Sequence, residues 1–143
     1  NLAKTCGLTN PNFLVDPIIK SGALPDGRFD FAYAYSIFTH LPESDFLNNV
    51  EKIVASLKPD GVFVFTVREP KFAEFLQRSN KYNPITDELS TSGYWFGNAQ
   101  NPNYGDTIVS AEWITKNLSQ FGKIECIGVA KSEPFQFILA LRP

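Results

Sequence analysis

The chain has 143 residues, of which 43% are hydrophobic and 20% charged, a composition typical of a single globular domain. Thirteen Lys and Arg against fifteen Asp and Glu give a net charge of −2, which argues against binding to the phosphate backbone of nucleic acids. No apolar stretch reaches the roughly 20 residues needed to cross a bilayer, and the first residues lack the pattern of a signal peptide. We therefore expect a cytoplasmic protein with no nucleic-acid or membrane partner.

The sequence contains few of the residues that build metal sites or common catalytic motifs. It has one His and two widely separated cysteines, and it lacks the GxSxG, GxxxxGK[ST] and GxGxxG patterns. These absences argue against hydrolase and P-loop chemistry and predict no metal. Cys6 and Cys126 lack the dense spacing of a disulfide framework, so we expect two reduced structural thiols.

Two apolar runs predict neighbouring strands joined by a helix. Phe29 to Tyr35 is almost wholly apolar and aromatic, which predicts a strand that is buried on both faces, and Val62 to Val67 predicts a second one. Between them, apolar residues from Phe46 to Leu57 recur at helical spacing, with Ser44 as the expected N-cap and Pro59 to Gly61 as the stop. This order predicts a right-handed βαβ unit with parallel strands.

The region that follows is less regular. Phe72, Phe75 and Leu76 predict a short helix, and a long stretch from Ser79 to Thr107 is rich in polar residues, Gly and Pro. Loops of this length inside a compact domain are often lids or binding loops. The alternative is a surface loop held down by its aromatic side chains, which include Tyr82, Tyr94, Trp95, Phe96 and Tyr104.

The C-terminal part predicts a helix and two strands. Ser110 is placed to cap a helix that runs to Phe121, and two apolar runs follow, Ile124 to Val129 and Phe135 to Leu141. The link between these runs is too short for a parallel crossover, so the last strand must pair antiparallel with a neighbour. With a short strand at Phe13 to Val15, the whole pattern predicts an α/β three-layer sandwich, its sheet mostly parallel with one antiparallel C-terminal strand.

Ligands of such sheets bind beyond the carboxyl ends of the strands. Here that rule indicates Asp16, the segment from Tyr35 to His40, and the segment from Val67 to Glu69. The segment after the first apolar run combines small polar side chains with the only imidazole of the chain. We therefore regard it as the candidate site.

The same segment carries a resemblance to a known family. Phe29-Asp30, His40-Leu41, the run Leu57-Lys58-Pro59-Asp60-Gly61 and the strand Val62 to Val67 occur in this order. The order and spacing resemble the central part of class I S-adenosylmethionine-dependent methyltransferases, whose sequences carry an FD-led strand, a turn ending in His-Leu, a helix, LKPGG and a further strand. The later helix and paired strands are also similar to the C-terminal half of that family.

The resemblance implies a Rossmann-like fold and methyl transfer from S-adenosylmethionine to a small-molecule substrate. Residues 1–143 would form a single, partial methyltransferase-like domain, in which residues 70–107 are a lid or a substrate-side insertion. Tyr94, Trp95 and Tyr104 would then bind substrate, and their alternative role is to form the core of the lid.

The resemblance also implies roles for individual residues near the strand ends. Tyr35, Ser36 and Ile37 would contact the cofactor, Asp16 would meet its adenine, and His40 would be the catalytic base, since it is the one side chain that ordinarily titrates near neutrality. Each polar residue has a structural alternative: a turn or cap for Ser36, an Asx turn for Asp16, and packing against the helix start for His40.

The sequence departs from the family at its N-terminal side. The family's glycine loop, and the acid that binds the ribose, are absent, and the chain begins with Asn and contains no Met, so we expect a fragment. Without the strands that carry them, a sheet edge along Phe29 to Tyr35 would be exposed. We expect that a rearrangement, an upstream segment or a second copy in a homodimer covers this edge. The alternative function is a non-catalytic, methyltransferase-like interaction module.

Overall fold

A computed structural model of the chain describes residues 24–79, 86–97, 102, 104–133 and 135–143. The predicted Phe13 to Val15 strand, Asp16 and Cys6 lie outside these residues. Four helices are described: α1 (Glu43–Ser56), α2 (Lys71–Arg78), α3 (Thr86–Ser92) and α4 (Ala111–Leu118). Single 3-10 turns span Phe38–His40 and Ser119–Phe121. None of the described helices is long and apolar enough to cross a membrane.

The strands form two sheets. The larger one contains β1 (Phe29–Ala34), β2 (Leu57–Arg68), β5 (Lys123–Val129) and β6 (Gln136–Arg142). Their order is β1-β2-β6-β5, with β1 and β2 parallel and β6 antiparallel to both of its neighbours. The predicted parallel pair and the predicted antiparallel C-terminal strand are therefore confirmed, within an α/β fold.

The main core lies between one face of this sheet and the helices α1 and α4. Phe63 and Phe65 point from β2 to this face, and Phe46 of α1 meets Phe65 and Trp113 edge to face, at centroid distances of 6.3 and 5.3 Å. Phe38 of the first 3-10 turn packs against the same rings. Because these aromatic side chains bury large apolar areas, they fix the 3-10 turn, and with it the candidate site, to the sheet.

The face of β1 that points away from the main core is exposed. This contradicts the expectation that the strand is buried on both faces. Phe31 and Tyr33 are 57% and 59% exposed, whereas Ala34 on the other face is buried. The described helices that pack on the sheet belong to the core on the Ala34 side. Because both faces of this strand carry apolar side chains, its sequence does not show that the described residues cover only one of them.

The boundaries of α1 and β2 also differ from the prediction. Ser44 lies inside α1, and Pro42 occupies the N-cap position without a side-chain hydrogen bond. The helix ends at Ser56, and β2 begins directly at Leu57, so Pro59 and Gly61 lie in the strand. The register with β1 shifts between Phe29 and Phe31 at this irregular start.

The stretch predicted as a long loop contains regular structure, which corrects that expectation. It includes α3 and a two-stranded antiparallel sheet of β3 (Tyr94–Gly97) and β4 (Asp106–Val109). A second apolar cluster joins this sheet to α2 through Phe72, Leu76 and Trp95. The strands are only four residues long, and tertiary packing stabilises them more than their own composition does.

Candidate functional site

The carboxyl ends of β1 and β2 lie side by side, because the two strands are parallel and Ala34 pairs with Phe65. The chain leaves β1 through Ser36 and enters the 3-10 turn that ends at His40, while β2 ends at Arg68. The core fixes both strand ends, so the polar residues that follow them meet beyond the carboxyl ends of the strands.

Ser36 holds the turn after β1 in an unusual conformation. Its φ angle is 56°, the left-handed region that non-glycine residues seldom adopt. The Ser36 amide donates to Thr66 Oγ1 at 2.8 Å, and the Ser36 hydroxyl is 3.3 Å from that of Thr39. Gln136 Nε2 donates to the Ser36 hydroxyl oxygen at 3.1 Å. Three neighbours therefore fix a strained backbone at the candidate site.

The residues on either side of Ser36 reach the surface. Ile37 is 52% exposed, and the Tyr35 hydroxyl lies 2.9 Å from Ser132 Oγ in the loop between β5 and β6. This contact borders an open groove of about 460 Å³. The groove has aromatic and apolar walls with one cation, and its lining includes Tyr33, Tyr35, Thr66, Val129, Lys131 and Ile138.

His40 is held by the loop that precedes β4. Its Nδ1 lies 2.7 Å from the Gly105 carbonyl oxygen, and the Gly105 amide donates to the His40 carbonyl at 3.3 Å. The Tyr104 ring stacks on the imidazole, with centroids 4.9 Å apart and planes 12° from parallel. Because a carbonyl oxygen only accepts, the neutral ring carries its proton on Nδ1, and its basic lone pair is on Nε2.

Arg68 and Asp106 form an ion pair beside this imidazole. Arg68 Nη1 lies 2.7 Å from Asp106 Oδ1 and also donates to the Thr39 carbonyl at 3.1 Å. The guanidinium carbon lies 4.4 Å from the centre of the Phe72 ring. The same Asp106 oxygen is 3.9 Å from His40 Nδ1. The pair thus connects the end of β2, the start of β4 and the 3-10 turn.

The structure brings together five of the predicted site residues. Tyr35, Ser36, Ile37 and His40 follow β1, and Tyr104 stacks on the His40 ring. Asp16 lies outside the described residues. What these side chains bind stays a prediction.

The three aromatic residues assigned to substrate binding lie in different environments. Tyr94 is buried in the main core, where its hydroxyl donates to the Leu41 carbonyl at 2.8 Å, and burial raises its pKa. Trp95 is buried in the second cluster. Tyr104 is 56% exposed, so it is the member of this set that a substrate could reach without any change in packing.

Sequence reasoning missed several residues of this site. Arg68 lies in a segment that the strand-end rule indicated, but its partner Asp106 lies in a stretch predicted as loop. Thr66 and Gln136 are buried polar residues whose partner, Ser36, is distant in sequence. A polar residue inside an apolar run, such as Thr66 within β2, is the one signal that could have suggested the cluster.

Comparisons with known proteins bear on the fold. No family model matches the chain, and no curated protein sequence matches it. Among solved structures, the PH0226 protein from Pyrococcus horikoshii OT3 is similar over 99% of this chain and 63% of its own, with 14% identity and a TM-score of 0.64. The glycopeptide N-methyltransferase MtfA, complexed with S-adenosylmethionine, is similar over 89% of this chain and 57% of its own, with 12% identity and a TM-score of 0.51.

These likenesses show that the chain has a class I methyltransferase-like fold. They also show that the chain spans less than two thirds of the length of either structure.

Proposed function

We propose that this chain is part of an S-adenosylmethionine-dependent methyltransferase that acts on a small molecule. One observation carries the proposal: in a methyltransferase-like fold, an imidazole with its Nδ1 on a backbone carbonyl lies at the carboxyl ends of two parallel strands. Ligands of open α/β sheets bind beyond the carboxyl ends of the strands. The net charge of −2 favours a small molecule over a nucleic acid as the methyl acceptor.

The residues around Ser36 fit one end of the cofactor. The left-handed turn exposes Ile37 and part of Tyr35, which offer apolar contacts, beside the Ser36 hydroxyl. In this proposal Tyr35, Ser36 and Ile37 hold the methionyl end, and Asp16 approaches the adenine. When bound, S-adenosylmethionine supplies an electrophilic methyl group on its sulfonium sulfur.

His40 is the base of the proposed reaction. Its Nε2 accepts the proton that an acceptor hydroxyl or amine loses, and the contact with Gly105 keeps the ring in the orientation that leaves Nε2 available. Tyr104 covers one face of the imidazole and limits the approach of water from that side. The open groove beside Tyr35 offers a place for the acceptor, with Lys131 at its rim to attract an anionic group.

Calorimetric titration of the chain with S-adenosylhomocysteine tests the cofactor site. We expect saturable binding that His40→Ala retains and that a Ser36→Ala/Ile37→Ala double variant abolishes. Ser90→Ala/Ile127→Ala is the matched control, because both residues are exposed and far along the chain from the turn. If the chain does not bind at millimolar ligand, the residues around Ser36 do not form a sufficient site.

A second candidate function is that of a non-catalytic interaction module. The exposed face of β1, at the edge of the described larger sheet, favours it: Phe31, Tyr33 and Tyr35 form a stacked row, with centroids 6.4 and 6.5 Å apart. The proposed partner is a second copy of this chain, which would pair with β1. Light scattering distinguishes the two: a dimer that Tyr33→Lys dissociates supports this function, and a monomer at all concentrations excludes it.

A further inference from the structure

Two opposite charges, those of Asp106 and Arg68, lie beside the 3-10 turn that ends at His40. The Asp106 carboxylate is 3.9 Å from His40 Nδ1, and Arg68 binds the nearer carboxylate oxygen at 2.7 Å. The Arg68 side chain is only 9% exposed and is also held by the Thr39 carbonyl and the Phe72 ring. Arg68 thus holds the carboxylate in place, while His40 Nδ1 bonds to the Gly105 carbonyl and not to Asp106.

We infer that Arg68 and Asp106 are a positioning pair that controls the proton affinity of His40. The carboxylate favours the protonated imidazole, and the guanidinium disfavours it, so their effects on the ring oppose each other. The inference rests on the proposed function only for its consequence in methyl transfer; the control of the ring is a property of the chain itself.

Other titratable groups also lie near the turn. Tyr104 adds a phenol that stacks on the ring. On α1, which begins three residues later, Glu43 accepts a hydrogen bond from Trp113 Nε1 at 2.7 Å, and Asp45 lies in the same first turn. Among these groups, the Arg68–Asp106 pair combines contact with the 3-10 turn and full charges of both signs.

The chain has a single His, so its ring signals can be observed without ambiguity by NMR of the intact chain. Long-range proton–nitrogen spectra should show the proton of the neutral ring on Nδ1. Asp106→Asn should move the midpoint of His40 protonation to lower pH, and Arg68→Gln should move it to higher pH, each by about half a unit or more. The double variant should return it close to the wild-type value.

Asp30→Asn and Lys58→Gln are matched controls, since they break an exposed ion pair at the other end of β1 and should leave the midpoint unchanged. If Arg68→Gln does not fold, Arg68→Lys replaces it. This variant keeps the charge, so its midpoint should stay near that of the wild type while Asp106→Asn still lowers it. Any of three results would overturn the inference. The midpoints of the two single variants could move in the same direction, the midpoint of Asp106→Asn could stay unchanged, or the neutral ring could carry its proton on Nε2.

A measurement of methyl transfer separates this inference from the proposed function. If the midpoints move as expected but His40→Gln retains full activity, the pair controls an imidazole that is not the base, and the proposed role of His40 falls. If the proposed role holds, the pH profile of kcat should move in the same direction as the midpoint in each single variant.

Discussion

Gln136 and Ser36 are 100 residues apart in sequence, and the side-chain amide of Gln136 donates to the Ser36 hydroxyl at 3.1 Å. The contact joins the first residue of β6 to the turn after β1. Thr66 of the intervening strand β2 accepts from the Ser36 amide. The conformation of this turn is thus determined by three strands of the sheet and not by the turn sequence alone.

Because the backbone of Ser36 is left-handed, we expect glycine to be more stable than alanine at this position, which is the reverse of their order within a helix. Ser36→Ala loses the hydroxyl contacts and keeps the strain of φ 56°, whereas Ser36→Gly loses the same contacts and relieves the strain. We expect the Gly variant to be more stable than the Ala variant by about 1 kcal/mol in urea denaturation. Ser44, exposed within α1, is the control, and there the Ala variant should be the more stable one. The same order at both positions would contradict this account of the turn.

Gln136 is fully buried, so its removal should be costly. Gln136→Ala leaves a cavity and withdraws a hydrogen bond from Ser36, and we expect a loss of about 2 kcal/mol in the free energy of unfolding. The amide resonances of Tyr35 to Ile37 should move in the same variant. Gln120→Ala removes an exposed glutamine and should change stability by less than about 0.5 kcal/mol. Equal effects of the two variants would show that Gln136 does not support the turn.

Much of the framework could be predicted from local patterns. Two apolar runs around an amphipathic helix identified the parallel pair β1 and β2, and Ser110 caps α4 as predicted, with its hydroxyl accepting from the Trp113 amide at 3.1 Å. The short link after β5 predicted the antiparallel β6. These features depend on residues that are close in sequence, or on the period of their hydrophobicity, which a single sequence records.

The rest depends on long-range contacts that leave no such record. The hairpin of β3 and β4 docks through Tyr94 and Thr107, whose hydroxyls both donate to the Leu41 carbonyl, at 2.8 and 2.6 Å. Nothing in the polar, Gly-containing stretch around it indicates that partner. Asp106 likewise is an ordinary loop acid in the sequence, and only the fold places it against Arg68. For the same reason, the sequence predicted His40 but not the pair beside it.

The hydrogen bond from Trp113 Nε1 to Glu43 at 2.7 Å joins the first turns of α4 and α1. A charged acceptor strengthens such a bond, so Glu43→Ala should destabilise the fold by about 1.5 kcal/mol, and Glu43→Gln by less because it keeps an acceptor oxygen. Indole fluorescence in a urea titration measures both. Glu51→Ala, an exposed acid on the same helix, should have little effect. Equal stability of the Ala variants at 43 and 51 would show that the bond contributes nothing measurable.

Tyr94 should make the fold sensitive to alkali. Burial raises the pKa of its hydroxyl above the ordinary value, and the negative charges of Glu43 and Asp45 act in the same direction. Because the folded pKa is raised, this contribution to stability is complete below the unfolded value of about 10 and is lost progressively above it, at up to about 1.4 kcal/mol per pH unit.

Tyr94→Phe removes the ionisable group together with its bond to the Leu41 carbonyl, which still accepts from Thr107. We expect the variant to be less stable than the wild type by about 1 kcal/mol at pH 7, and this difference to shrink as the pH rises from 9 to 11. Urea denaturation at several pH values measures it. Tyr33→Phe is the control, since the side chain of Tyr33 is 59% exposed. A Tyr94→Phe slope equal to that of the wild type would mean that Tyr94 ionises as readily in the folded chain as in the unfolded one.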